Sequence, residues 1–198
     1  MNIRCQLILD ELARHRTQFE HLCHDLSDRE LRAIVPGSHW TVKHYIAHLA
    51  TIDGLIAHNF SLAAGLQAPP PATPYPDPFD IDEWNESAVE RVAGWSVDDM
   101  LIEAATHRER MALAISHFKD ADLDRVIPYG GDRKSLGPLP KSQVRFGGLL
   151  WAIAVHDPTH TRDLLRALPE RADQPWIEEW LGSVSESLIP DGVKEQRV

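Results

Sequence analysis

The stretch "WAIAVHDPTHTRDLLRAL", residues 151–168, predicts one amphipathic helix with two imidazoles on its apolar face. On a helical wheel, which advances by 100° per residue, mostly apolar side chains share an arc of about 80° and arginines lie on the other side. That arc contains Leu149, Ile153, His156, His160, Leu164 and Ala167. Two neutral imidazoles on adjacent turns of a buried stripe leave four ring nitrogens that need partners. Such a stripe therefore indicates that this face of the helix also binds a polar group or an ion.

Pro158 lies between the two histidines. In a helix interior a proline removes one backbone hydrogen bond and kinks the chain, at a cost of about 3 kcal/mol. One interpretation is a kinked helix whose two flanks are held together by a common ligand of His156 and His160. The alternative is that the helix ends at the proline, in which case the spacing no longer places His160 on the same face.

Three further segments show the three-and-four spacing of helices that pack on one face, namely residues 3–26, 42–63 and 97–119. Capping residues precede the later long helices: Thr41, Ser96 and, before a fourth helix that runs to Leu168, Ser142.

Shorter elements complete the prediction. Residues 80–92 form a short extra helix and residues 174–189 a tail helix, whereas residues 129–142 form a loop with a short hairpin. The proline-rich residues 65–80 are long enough to cover a site. We therefore expect an all-α four-helix bundle as a single domain over residues 1–198, with its core at about 3–168.

Composition restricts the classes of partner. The formal net charge is −10, which would repel nucleic acid and anionic membranes. Since no apolar run has the length of a membrane span and the amino terminus is charged early, we expect a cytoplasmic protein. Cys5 and Cys23 would lie about 27 Å apart on the first helix, which excludes a disulfide between them.

The histidine spacing is typical of a metal site. Residues four apart on a helix have Cβ atoms about 5–6 Å apart, which suits two ligands of one ion. His48, on the inward face of the second helix, would complete an open site of three imidazoles. His44, one turn earlier, is a weaker fourth candidate. The alternative is a set of core histidines that bond to backbone or carboxylate groups.

These positions resemble a known family. "W40-TVKHYIAH48-L", followed by "H156-xxx-H160" on the fourth helix, is similar to the DinB/YfiT-like metal-binding superfamily. That group includes bacillithiol S-transferase-like proteins and the N-terminal domain of mycothiol-dependent maleylpyruvate isomerases. The resemblance implies an up-down-down-up four-helix bundle, in which His48, His156 and His160 hold zinc, nickel or a similar divalent ion. It also implies a homodimer and a low-molecular-weight thiol as cosubstrate. In the isomerases the first late ligand can be a glutamate, where this chain has His156.

We therefore expect a metal-dependent thiol S-transferase or thiol-assisted isomerase that acts on a small electrophilic molecule. Asp53 and Asp157 are candidate catalytic bases, with solvated surface carboxylates as the alternative. Arg108 is a candidate anchor for an anionic group of the substrate or cofactor, unless its side chain extends to the surface. Substrate would sit over the open coordination positions of the ion, beneath the proline-rich segment.

Two other functions agree with the same histidines. A hydrolase would use the ion to activate water, and "H156-D157-PT-H160" imitates the zincin pattern with an aspartate in place of glutamate. A non-enzymatic bundle would bind a metal or a small molecule without turnover.

Overall fold

The computed structural model describes residues 2–128 and 143–184. Within these ranges the chain forms ten helices and one two-stranded sheet, which confirms the predicted all-α class. The long helices are α1 (Ile3–His24), α3 (Val42–Ala63) and α5 (Val97–His117), and α7 (Phe146–Ala154) with α8 (His156–Leu165) makes the fourth arm. The shorter elements are α2 (Asp28–Leu31), α4 (Ile81–Val92), α6 (Asp120–Leu123), β1 (Val126–Pro128), β2 (Gln143–Arg145), α9 (Pro169–Ala172) and α10 (Pro175–Gly182).

Two apolar clusters, one at each end of the bundle, give the direction of each arm. The first contains Phe19, Ile46, Leu101 and Leu164, from the second half of α1, the first halves of α3 and α5, and the end of α8. The second contains residues from the opposite halves, namely Leu12, Phe60, Ile115 and Leu150. The arms α1, α3, α5 and α7–α8 therefore run up, down, down and up, as expected.

Because α3 and α5 run in the same direction, their connection must return along the bundle. Residues 64–80 and α4 make this return, and α4 packs against α3 through the buried Trp84 and Ala88. Trp84 Nε1 also donates to the carbonyl of Thr73, 3.1 Å away, which ties the proline-rich segment to α4. This path places α4 beside the first half of α3.

The prediction of one continuous fourth helix is wrong. The helix is interrupted at Val155, whose φ of −99° and ψ of 13° separate α7 from α8. A proline ring clashes with the carbonyl four residues earlier, here that of Ala154, so the helix ends at that residue. The first bond of the new helix runs from Thr159 N to Val155 O at 3.1 Å. Pro158 thus lies in the first turn of α8, where a backbone N–H has no partner within the helix, so the proline costs no helical hydrogen bond.

Other boundaries differ from the prediction by a few residues. The fourth arm begins at Phe146, after β2, and the predicted cap Ser142 lies outside the described residues, as does the predicted loop 129–142 itself. The strands on either side of that loop pair antiparallel, with Val126 opposite Arg145. The tail helix ends at Gly182, with Ser183 as its C-cap, and residues 185–189 of the predicted helix lie outside the described residues.

No helix in the described part of the chain has the length and apolar character needed to cross a membrane.

Candidate metal centre

The structure brings His48, His156 and His160 together between α3 and α8. Each offers one ring nitrogen, and these three atoms all lie within 4.8 Å of one another. His156 and His160 stay on one helix, since the break at Val155 precedes both. The four-residue spacing therefore places both side chains on the same face of α8, even though the fourth arm is not one continuous helix.

The Nε2 atoms of His156 and His160 face each other at 3.0 Å. The other nitrogen of His160, Nδ1, lies 3.3 Å from the Asp163 carboxylate. Across the helix pair, the ring centroid of His48 lies 5.6 Å from that of His156 and 5.0 Å from that of His160. The three rings thus surround one point at the interface of the two helices.

Burial keeps two of the three imidazoles neutral. His48 is 5% exposed, and burial, with the neighbouring His160 charge as a smaller cause, lowers its pKa to about 3. Burial and then the charge of His160 likewise lower the pKa of His156 well below its ordinary value. Both rings are uncharged at pH 7, so each has one nitrogen lone pair that can bind a cation.

These residues fit a divalent metal ion. Two nitrogens that each lie about 2.0–2.1 Å from a tetrahedral zinc are about 3.3–3.4 Å apart, and the His156 and His160 Nε2 atoms, at 3.0 Å, lie a few tenths of an ångström closer than this. The Nδ1 atoms of His48 and His156 are buried without a hydrogen-bond partner among the described residues. Imidazole nitrogen suits zinc, nickel, iron and copper alike, so the ligand set leaves the metal open.

Two aromatic rings lie beside the centre. The Trp40 ring centroid is 5.4 Å from that of His48, and the Tyr45 ring is 5.8 Å from that of His160. Trp40 and Tyr45 meet edge to face at 5.5 Å, and both are half-buried. They form an apolar wall that suits an uncharged part of a ligand. The sequence analysis missed Tyr45, although its position three residues before His48 places it near the same face of α3.

The three other candidate residues lie in a buried ion-pair network instead. Asp53 and Asp157 are fully buried, so the surface alternative is wrong for both, and Arg108 is 8% exposed, so its side chain does not extend to the surface. Arg16, which the sequence analysis missed, completes the group. Its position four residues after Leu12 continues the inward spacing of α1.

We call these four residues the charge quartet; α1, α3, α5 and α8 each supply one member. Asp53 Oδ2 accepts from Arg16 Nη2 and Arg108 Nε, both at 2.8 Å. Asp157 accepts from Arg16 Nε at 3.0 Å and Nη2 at 2.9 Å, and from Arg108 Nη2 at 3.0 Å. The quartet has no formal net charge and lies between the two apolar clusters. Each carboxylate accepts hydrogen bonds from both guanidinium groups, although Oδ1 of Asp53 has no partner among the described residues.

The proline-rich segment covers a cavity that none of the three clustered histidines lines. Residues 66–71 close a space of about 240 Å³, whose other walls include Gly54, His58, His107 and Arg110. His58 Nδ1 lies 2.8 Å from the carbonyl of Pro69 and so ties the segment to α3. The space beneath this part of the segment is therefore separate from the three histidines.

His44 does not belong to the cluster of three histidines. Its Nδ1 accepts from Thr41 N at 3.4 Å and so helps to cap α3. His15, another histidine outside the cluster, is fully buried in α1. Its Nδ1 accepts from Trp180 Nε1 at 2.9 Å, which anchors α10 to α1.

A helical bundle with three converging histidines between its second and fourth arms defines a class of candidate metal-binding protein. The profile of the DinB superfamily matches residues 11–164, and the chain belongs to that superfamily. The match spans all three histidines and the charge quartet. A search of curated proteins finds no match.

Proposed function

We propose that this protein is a metal-dependent enzyme that joins a low-molecular-weight thiol to a small electrophile, or uses the thiol to isomerise it. The observation that carries the proposal is the convergence of three ring nitrogens within 4.8 Å, two of them 3.0 Å apart. When bound there, a divalent ion supplies positive charge that lowers the pKa of a coordinated thiol or water towards neutrality.

The chain's own thiols do not suit the role of nucleophile. Cys5 and Cys23 are both buried, and burial raises the pKa of each thiol above its ordinary value. The thiolate is the reactive form, so a cysteine with a raised pKa is a poor nucleophile. This supports a thiol that arrives as a cosubstrate.

The charge quartet favours a thiol over water as the nucleophile. A zincin-like hydrolase would need Asp157 to take a proton from water, but this carboxylate accepts three hydrogen bonds from Arg16 and Arg108. A thiol has an ordinary pKa of about 8.5, so a nearby cation deprotonates it without help from a base. The wall of Trp40 and Tyr45 would hold the apolar part of the electrophile beside the centre.

Metal content tests the foundation of this proposal. Protein purified without a histidine tag should hold about one divalent ion per chain, because each of the three imidazoles can give it one ring nitrogen. His160→Ala should lose that ion. His117→Ala is the matched control, since His117 is an exposed histidine on α5 whose Nδ1 faces the carbonyl of Leu113. Equal metal content in the His160→Ala and wild-type proteins, or no ion in either, would refute the metal centre.

Activity assays then separate the possible reactions. Loaded protein is incubated with chlorodinitrobenzene and with maleylpyruvate, each with and without glutathione, bacillithiol or mycothiol. Product that requires both the thiol and His160 supports the proposal. Ester hydrolysis without a thiol would favour the hydrolase, and stoichiometric metal without turnover of any substrate would favour a binding protein.

A further inference from the structure

Two of the buried polar atoms near the candidate centre that lack partners belong to α3 and α4. Nδ1 of His48 and Oδ1 of Asn85 each make no hydrogen bond within the described part of the chain. A buried polar atom without a partner costs about 1–3 kcal/mol, so two such atoms in one region call for an explanation.

The packing of α4 places these two groups side by side. Glu86, next to Asn85, accepts from Trp40 Nε1 at 3.1 and 3.2 Å, and the Trp40 ring lies 5.4 Å from that of His48. The Asn85 carboxamide is a hydrogen-bond neighbour of the His48 imidazole, and the buried atoms Asn85 Oδ1 and His48 Nδ1 both lack a bond of good geometry. A small rotation of the carboxamide would therefore join the two unpartnered atoms.

The chemistry of the two groups is complementary. A neutral imidazole that offers Nε2 to a cation has its proton on Nδ1, where it needs an acceptor, and a carboxamide oxygen is such an acceptor. In His156 and His160 it is Nε2 that faces the centre. His160 directs its Nδ1 to the carboxylate of Asp163. In the same arrangement, Nε2 of His48 would face the centre and its Nδ1 would face α4.

We propose that Asn85 is a positioning residue whose Oδ1 accepts a hydrogen bond from the Nδ1–H of His48. This bond holds the tautomer that leaves Nε2 free and fixes the orientation of the ring. The link to metal affinity rests on the proposed function, whereas the hydrogen bond itself exists with or without an ion.

The experiment compares Asn85→Leu, which keeps the branched shape of the side chain but removes the acceptor, with Asn85→Asp, which keeps an acceptor. Asn59→Ala is the matched control, because Asn59 is an exposed carboxamide on the last turns of α3. Long-range proton–nitrogen NMR of the metal-free proteins at pH 7 identifies the His48 tautomer, with His48→Gln used to assign the signals. Zinc affinity is measured by competition with a chromophoric chelator.

We expect the Nδ1–H tautomer at His48 in the wild type, Asn85→Asp and Asn59→Ala, and its loss in Asn85→Leu. Zinc affinity should fall by about 10- to 100-fold in Asn85→Leu and stay close to the wild-type value in the other two variants. The proposal is overturned if Asn85→Leu keeps both tautomer and affinity, or if Asn85→Asp is as weak as Asn85→Leu. If the wild type binds no zinc, the proposed function fails, while the tautomer still decides the role of Asn85.

Discussion

Asp53→Asn is the sharpest test of the charge quartet. Asp53 is fully buried, and its Oδ2 accepts 2.8 Å hydrogen bonds from two guanidinium groups, those of Arg16 and Arg108. Asparagine has almost the same shape but no charge. The substitution therefore leaves two buried arginines with one carboxylate, that of Asp157, and an uncompensated positive charge in the interior.

The size of the effect follows from this imbalance. At an effective dielectric constant of about 20, two unit charges about 4 Å apart interact by about 4 kcal/mol. Breaking a buried ion pair from one side costs about 3–5 kcal/mol, because the remaining charge is still desolvated. For a chain of 198 residues, each kcal/mol shifts the melting temperature by about 2–4 °C, so we expect Asp53→Asn to melt about 10 °C lower.

The control, Asp124→Asn, makes the same substitution in an exposed ion pair. Asp124 pairs with Arg4 at 3.0 Å, but their side chains are 61% and 35% exposed. Exposed pairs contribute about 0–1 kcal/mol, so Asp124→Asn should melt within a few degrees of the wild type. Urea unfolding followed by circular dichroism gives the free energies of unfolding. If Asp53→Asn loses no more stability than Asp124→Asn, the quartet does not stabilise the bundle.

Three further predictions concern the tail helix and the metal. Burial lowers the pKa of His15 to about 4 in the folded protein, so its contribution to stability is complete above about pH 6.5 and is lost as the pH falls towards 4. Between about pH 4 and 6.5, His15→Gln should reduce the slope of the free energy of unfolding against pH by up to about 1.4 kcal/mol per pH unit. Equal slopes in the wild type and the variant would contradict the lowered pKa of His15. Trp180→Phe leaves His15 Nδ1 unpaired, so it should lower the free energy of unfolding in urea by about 1–3 kcal/mol. Trp176→Phe, the control, should lower it less, because Trp176 Nε1 bonds only to the nearby Gln174. The reverse order would refute the anchor. Removal of the ion with a chelator should lower the melting temperature of metal-loaded wild type but not that of His160→Ala. The reason is that an ion at a hundred times its Kd stabilises the folded state by about 2.7 kcal/mol. A shift of equal size in both proteins would place the ion elsewhere.

The spacing of apolar residues predicted most of the fold, because each long helix buries one face. In α1, the predicted inward residues Cys5, Ile8, Leu12 and Phe19 are all buried. The break at Val155 was not predicted, although Pro158 indicated a disturbance. A sequence shows that a proline disfavours a helix interior, but the backbone can end the helix before the ring or kink around it. Here the helix ends before the ring.

Charged residues on inward faces were harder to interpret. Asp53 and Arg108 each have apolar neighbours at helical spacing, but a single helix does not show what charge lies opposite. Only the packing of four arms brings opposite charges together, so a side chain that looks like a base or an anchor belongs to an ion-pair network. Asn85 was missed for a similar reason, because its neighbour His48 is on another helix and 37 positions earlier in the numbering.

The interruption at Val155 makes α8 a short rod of ten residues without an unbroken ladder of backbone hydrogen bonds from α7. What docks this rod is mainly side-chain contact, through Asp157 to two arginines and through its two histidines to the centre. Release of an ion would remove one of those attachments while α7 keeps its own packing. Amide hydrogen exchange should then quicken in α8 but not in α7, so the exchange rate of this one rod can report the occupancy of the centre.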